Sequence, residues 1–104
     1  MFNVQTQYEK YENCVLSVGR YANNNHIALF VMSDKGPVAV LTVNIDRIEN
    51  FPEDCSCIDT NNFPEGMDLI EELGIGEPCG ALASGFCIYP IYKFNLEKIK
   101  NYME

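Results

Sequence analysis

The chain has 104 residues, a formal net charge of -8 and a hydrophobic content of 47%. This length corresponds to one domain, and the apolar content suffices for one packed core, which excludes a disordered chain. No apolar stretch reaches the roughly 18 residues of a membrane helix, and the first twelve residues lack the basic and apolar regions of a secretion signal. We therefore expect a single cytoplasmic domain over residues 1–104.

Nearly all of the acidity is concentrated in one stretch of the chain. Residues 46–77 carry a net charge of -9, residues 1–45 are neutral and residues 78–104 carry +1. Nucleic-acid-binding proteins present Lys and Arg, so we expect no direct binding of DNA or RNA here. An acidic surface attracts basic protein surfaces, although it can also serve only to keep a protein soluble. The candidate partner-binding carboxylates are Glu49, Glu53, Asp54, Glu71 and Glu72.

The first half of the chain predicts an antiparallel β-meander. Residues 15–21, 26–32 and 38–45 are apolar runs rich in β-branched side chains, which is typical of strands. Residues 22–25 and 33–36 are rich in the Asn, Asp, Ser and Gly that form turns. The second and third runs are apolar on both faces, which favours central positions in a sheet.

The second half predicts a mixture of strands and helices. Residues 55–60 form a short strand, followed by a helix that begins at Pro64 and ends before Gly74. Residues 74–80 are expected to be an irregular connection, and residues 81–94 a strand interrupted at residues 84–85 and at Pro90. A proline there indicates an edge or a bulge rather than a central position in the sheet. Asn95 caps a last helix. The predicted fold class is α+β, a mostly antiparallel meander of about four strands with two short helices packed on it.

The five cysteines indicate free thiols. An odd number of cysteines without a secretion signal is typical of a reducing compartment. Cys14 and Cys87 lie in apolar runs, and Cys55 and Cys57 share one face of a strand, so we expect all four to be core residues. The spacing of Cys55 and Cys57 matches no metal motif and the only histidine, His26, is distant, so we expect no metal.

No complete catalytic centre is present in the sequence. A nucleophile needs a base, and we expect His26 to be a half-exposed histidine at a strand end. Ser84 lacks the strand–elbow–helix context of a hydrolase nucleophile. No glycine-rich phosphate loop precedes a helix, and no cofactor motif is found. We therefore expect a protein that is not an enzyme and binds no cofactor.

A cluster of polar side chains precedes the first helix. These side chains can tie the turn together and accept from the free N–H groups of the helix, which is the interpretation we favour. The alternative is a small ligand pocket beside those N–H donors. Two tyrosines on opposite faces of a later strand, one in the core and one at an edge, would contribute to it. The candidate pocket residues are Asp59, Thr60, Asn61, Asn62, Tyr89 and Tyr92.

Three sequence stretches resemble a family of unknown function. They are residues 40–45 (VLTVNI), residues 59–62 (DTNN) with Pro64 two residues on, and residues 74–78 (GIGEP) followed by SGF at 84–86 and YPIYKF at 89–94. Their order over residues 25–94 is similar to a small family carried on conjugative elements and phages of Gram-positive gut bacteria. The resemblance implies a mobile-element origin and no known activity. Accessory proteins of such elements are often counter-defence factors, an argument by association.

Two functions are consistent with these observations. The first is an inhibitor, such as an anti-CRISPR protein, whose acidic stretch blocks the basic nucleic-acid groove of a host effector. The second is a small-ligand binder, such as a sponge for a nucleotide signal, built on the candidate pocket residues. Because a chain of 104 residues makes only a shallow pocket, a homo-oligomer would be natural for the second function.

Overall fold

The computed structural model describes residues 1–22, 25–45 and 54–103. These ranges contain eight strands, two α-helices and one turn of 3-10 helix, Lys100–Tyr102. The strands are β1 Phe2–Gln5, β2 Lys10–Arg20, β3 Ile27–Ser33, β4 Gly36–Val40, β5 Thr42–Val43, β6 Cys55–Ile58, β7 Gly76–Ser84 and β8 Cys87–Phe94. The helices are α1 Gly66–Leu73 and α2 Leu96–Ile99.

The strands form two four-stranded antiparallel sheets. The first sheet has the order β1-β2-β3-β4, and the second has the order β5-β6-β8-β7. The predicted α+β class, with antiparallel strands and two short helices, is confirmed. The described ranges hold eight strands rather than about four, because the predicted runs at residues 38–45 and 81–94 are each divided in two and β1 was not predicted.

The first division is at Leu41, where the chain passes from one sheet to the other. Before it β4 pairs with β3, and after it β5 pairs with β6. The Leu41 N–H donates to the Leu29 carbonyl at 2.9 Å, and the Leu41 carbonyl accepts from the Asp59 N–H at 2.9 Å. Its side chain is fully buried. Leu41 therefore joins the two sheets through both its backbone and its side chain.

The second division is the β7–β8 hairpin, where the prediction for residues 74–94 was wrong in two respects. Residues 76–80 are part of β7 rather than an irregular connection. Pro90 lies in β8, which is a central strand, and not at an edge. The ladder between β6 and β8 ends at Cys57↔Ile91, so Pro90 lies one residue beyond it, where no N–H is needed. The interruption predicted at residues 84–85 is the hairpin turn, with Gly85 at φ 62°.

The helix α1 begins later than predicted and ends where predicted. Its N-cap is Glu65 and its first residue is Gly66, so Pro64 precedes the helix. The delay arises because the Phe63 N–H donates to the Asp59 carbonyl at 2.8 Å, which adds a turn before the helix. Gly74 is the left-handed C-cap at φ 67°. The Asn95 side chain caps α2 as predicted, accepting from the Lys98 N–H at 3.2 Å.

One continuous core is shared by both sheets and both helices. It contains Leu16 and Leu29 of the first sheet, Ile58 of the second sheet, Ile70 of α1 and Ile99 of α2. None of the helices in the described ranges has the length and apolar character needed to cross a membrane.

Candidate functional site

The outer surface of α1 is the strongest concentration of charge that the structure describes. Leu69 and Ile70 are buried and attach the helix to the core. Glu65 is half-buried, and Asp68, Glu71 and Glu72 are exposed. We call these four carboxylates the acidic face. No Lys or Arg occurs between residues 65 and 73.

Helical spacing explains why the acidic face forms. Glu65, Asp68 and Glu72 are separated by three and four residues, which places them along one side of a helix. Glu65 and Asp68 were not among the predicted site residues. A test of helical periodicity on the charges, as well as on the apolar residues, would have found them.

The carboxylates at the two ends of the acidic face make different hydrogen bonds. At the start of α1, Glu65 Oε1 accepts from the Gln7 N–H at 3.1 Å. Near its end, the Tyr92 hydroxyl lies 3.5 Å from Glu71 Oε1, a weak hydrogen bond. Burial, followed by the charge of Glu71, raises the pKa of Tyr92. No basic residue lies in the last turn, so the helix dipole adds to the negative charge there.

Of the three remaining predicted partner-binding residues, one lies in a groove and two lie outside the residues that the structure describes. Asp54 lines a groove of about 560 Å³ with Gly74, Glu77, Lys93 and Lys98. Its carboxylate lies 3.9 Å from the Lys93 ammonium, so its charge is partly compensated. Glu49 and Glu53 lie outside the described residues. Of the five predicted carboxylates, Glu71 and Glu72 therefore belong to the acidic face, and Asp54 belongs to a groove of mixed charge.

The polar turn at residues 59–62 is tied together internally. The Asp59 carboxylate accepts from the Asn62 N–H at 3.3 Å and from the Asn62 side-chain amide at 2.9 Å. Asp59 is buried, and Asn61 is exposed. The prediction of an internally bonded turn is confirmed, whereas the prediction that its side chains cap the helix is wrong. The N-cap residue is Glu65, which makes no side-chain capping bond.

The six candidate pocket residues do not line one pocket. Asp59 and Asn62 line a groove of about 430 Å³ whose other walls include Tyr8, Tyr11 and Val40. The lining residues do not include Thr60, Asn61, Tyr89 and Tyr92.

The two tyrosines of β8 face opposite sides of the second sheet. Tyr92 is buried in the core. Tyr89 lies near Asp59 on the other side, where a hydrogen bond with the Cys87 side chain, followed by burial and nearby charges, raises its pKa. Only Tyr89 is therefore close to the polar turn.

A family defined as a domain of unknown function (DUF4313) matches residues 15–104. The chain belongs to this family. The DUF4313 region includes α1, the polar turn and the β7–β8 hairpin, and it extends beyond both ends of residues 25–94, where the sequence resemblance was found. β1 lies outside it. The chain has no match among curated proteins or solved structures.

The four cysteines of the DUF4313 region lie in the strands of the second sheet. All five cysteines of the chain are free thiols. Cys55 and Cys57 are buried as predicted, and the Cys55 sulfur lies 3.9 Å from that of the exposed Cys79. Burial, followed by the neighbouring Cys79, raises the pKa of Cys55 to about 12. Within the described ranges, no group of three His, Cys, Asp or Glu side chains is arranged to hold a metal ion.

The prediction for two other residues needs correction. His26 is 5% exposed, so it is buried rather than half-exposed. It immediately precedes β3, and its carbonyl accepts from the Tyr21 N–H at 3.0 Å. Cys87 is half-buried rather than a core residue, because it follows the exposed hairpin turn.

Proposed function

We propose that this protein is a non-catalytic binding protein whose acidic face docks on a basic surface of another protein. The observation that carries the proposal is the acidic face itself, four carboxylates within eight residues and no cation among them. Because α1 is packed into the core through Leu69 and Ile70, the backbone positions that carry the carboxylates are fixed before binding. Preorganised charges lose less entropy on binding than charges on a flexible segment.

The same charges favour one class of surface on the partner. A groove that normally binds DNA or RNA is lined with Lys and Arg, and an acidic protein can occupy it in place of the phosphates. We further propose that the partner is a nucleic-acid-directed host defence protein such as a CRISPR nuclease, and that the protein acts in the cytoplasm as an accessory of a mobile genetic element. This part is supported by the resemblance of residues 25–94 to proteins of such elements.

The proposal is tested with a purified CRISPR nuclease loaded with its guide RNA. The protein is titrated into a DNA-cleavage assay, where we expect it to inhibit. A triple variant, Asp68→Asn, Glu71→Gln and Glu72→Gln, should weaken inhibition about tenfold, since three lost charge contacts of roughly 0.5 kcal/mol each amount to one factor of ten. Raising NaCl from about 0.1 M to about 1 M should weaken inhibition by the parent, because screening shortens from about 10 Å to about 3 Å.

The matched control removes the same number of charges from the first sheet and its connecting turns. Glu9, Glu12 and Asp34 are exposed, and the variant Glu9→Gln, Glu12→Gln and Asp34→Asn should inhibit as well as the parent. Equal losses in both triple variants would mean that only net charge matters. If the parent neither inhibits nor binds the nuclease, the choice of a CRISPR nuclease as partner is wrong.

A second function, ligand binding at the groove beside Asp59 and Asn62, rests on the tyrosines Tyr8 and Tyr11 that wall this groove. We propose it as the alternative, with a nucleotide whose base stacks on one of these rings as the ligand. Calorimetric titration with cyclic nucleotides tests it, with Tyr8→Ala as the variant because Tyr8 is 87% exposed and its loss should not affect folding. Heat of binding that disappears in Tyr8→Ala would support the alternative, and no heat in the parent would contradict it.

A further inference from the structure

The free edges of the two sheets are not equally protected against pairing with another strand. Exposed edges usually carry charges, prolines or bulges, or are very short. In the described part of the chain, β1 has four residues, β5 has two, and β4 has five with Pro37 as its second. The fourth edge strand, β7, has nine residues. It is the longest of the four.

The protection of β7 is confined to its first half. Glu77 and Pro78 lie there, and the register with β8 shifts between Pro78 and Gly80, which marks a bulge. Residues 80–83, which we call the far edge, contain Gly, Ala and Leu with neither charge nor proline. Three of these four residues are exposed, and Leu82 is half-buried.

The exposed side chains next to the far edge are apolar. Phe86 in the hairpin turn is fully exposed, and Ile88 at the start of β8 is 70% exposed. Residues 78–92 contain no charged side chain at all. Exposed aromatic and β-branched side chains beside an open strand edge are a surface that pairing would cover.

The pairing of Pro90 indicates which backbone groups of the far edge are available. Pro90 is opposite Ala81, and a proline has no N–H to donate across the ladder. Ala81↔Pro90 therefore fits a pair whose backbone groups do not bond each other, and in such a pair the groups point away from the partner strand. Ala81 and, two residues on, Ala83 then direct their N–H and carbonyl groups out of the sheet.

We propose that a second copy of this chain pairs antiparallel with the far edge, joining two second sheets across a two-fold axis. A strand that pairs antiparallel with its own copy satisfies this symmetry without any further complementary surface. Phe86 and Ile88 of each copy would pack against the other copy across the junction.

The charge distribution favours a second copy over a charged partner, because residues 78–92 are uncharged and offer no ion pair to such a partner. Two chains of net charge -8 repel each other, and this uncharged stretch is where they can approach with the least repulsion. Along β7, the far edge ends about 20 Å from Glu77 at 3.3 Å per residue. Its other end, at Gly80, is about 10 Å from Glu77, so both ends lie beyond the screening length of about 8 Å at physiological salt and Glu77 opposes association only weakly. A junction between two short strand edges is a small interface, so we expect the association to be weak and reversible.

Sedimentation of the full-length protein from about 1 µM to about 1 mM tests the proposal, a range that brackets weak association. We expect a reversible monomer–dimer equilibrium in the parent. Ala83→Lys places a charge on the far edge and should weaken dimerisation at least about tenfold, the effect of 1.4 kcal/mol. Phe86→Ser should weaken it as well. Gln5→Lys is the matched control, because it places the same charge on the exposed edge strand of the first sheet.

Hydrogen exchange locates the contact independently of the variants. The amides of Ala81 and Ala83 should exchange more slowly at high protein concentration than at low concentration, whereas those of β1 should not change. A monomer at every concentration would overturn the proposal. A dimer that Ala83→Lys and Phe86→Ser leave intact would overturn it too, as would a dimer lost in Gln5→Lys but not in Ala83→Lys.

Discussion

The two ends of the β7–β8 hairpin present opposite kinds of surface. The near end, at Gly76 and Phe94, is packed against α1 and continues into α2, and charged side chains such as Glu77 and Lys93 surround it. The far end, at residues 80–88, is uncharged and largely exposed. One ladder thus connects a region held by the core with a region that depends little on it. Side chains at the near end should control stability, and those at the far end should control association.

The largest effect is expected from alkaline pH, which acts on the near end. Burial raises the pKa values of Cys55 (to about 12) and Cys57 above their ordinary values. A thiol whose pKa is higher in the folded than in the unfolded protein contributes to stability at pH values below its pKa in the unfolded protein. That contribution is lost as the pH rises from the ordinary thiol pKa of about 8.5 towards the folded value. We expect unfolding within this window.

Circular dichroism against pH measures this transition. Cys55→Ala removes the thiol with the most strongly raised pKa and should move the unfolding midpoint to higher pH. Cys14→Ala tests a thiol in the first sheet, whose pKa burial also raises. An alkaline midpoint that is the same in parent and Cys55→Ala would contradict the assignment to the near end.

The next largest effect separates the core beneath α1 from the hairpin tip. Ile70 is fully buried in α1, and Ile70→Ala should lower the free energy of unfolding by about 2–5 kcal/mol through lost burial and a cavity. Ile88 is 70% exposed, and Ile88→Ala should change it by less than about 0.5 kcal/mol. Urea denaturation of both variants at low protein concentration gives the comparison. Similar losses in both would mean that the tip is packed as firmly as the core.

Two glycines of β7 extend the comparison along a single strand. A Cβ at Gly76 would lie 3.1 Å from the Lys93 carbonyl oxygen, and backbone cannot move aside as a side chain can. Gly76→Ala should therefore lower the free energy of unfolding by about 1–3 kcal/mol. A Cβ at Gly80 would lie 3.8 Å from the Ile91 side chain, an ordinary contact. Gly80→Ala should be neutral or stabilise by up to about 1 kcal/mol, and thermal unfolding of the pair decides.

The sequence predicted those features that depend on neighbouring residues. The left-handed Gly74, the Asn95 cap and the placement of Tyr89 and Tyr92 on opposite faces of one strand follow from local chemistry and from strand periodicity, whereas which of the two faces is the core was left open. The transfer at Leu41 between sheets was not predictable, because the run at residues 38–45 continues without a glycine, a proline or a charged residue. The position of Pro90 was misjudged because it depends on where β6 ends, which is a non-local property.

The candidate site was predicted only in part, because some of its residues also depend on non-local packing. Acidic composition indicated Glu71 and Glu72, whereas the contribution of Glu65 and Asp68 depends on the face that α1 turns to the core. Gly66 shows how packing overrides propensity. It is unfavourable in a helix, but a Cβ there would lie 3.3 Å from the Ile58 side chain, so the start of α1 packs closely because this residue is glycine.

The smallest effect concerns the charge at the end of α1. Glu72 is exposed in the last turn, where its negative charge adds to the negative end of the helix dipole. Glu72→Gln should therefore raise the free energy of unfolding by about 0.3–1 kcal/mol at low salt. Glu12→Gln is the control from the first sheet. The Glu12 carboxylate lies 3.8 Å from the Lys10 ammonium, so its removal should have no effect or a slightly destabilising one.

Thermal unfolding of both variants at low and high salt distinguishes the dipole effect from other causes. Because salt screens the interaction, the gain in Glu72→Gln should disappear at about 1 M NaCl. A gain that persists at high salt would point to packing instead of charge. A loss of stability in Glu72→Gln would mean that this carboxylate makes a favourable contact within the protein. Glu72 would then be less available to bind a basic partner.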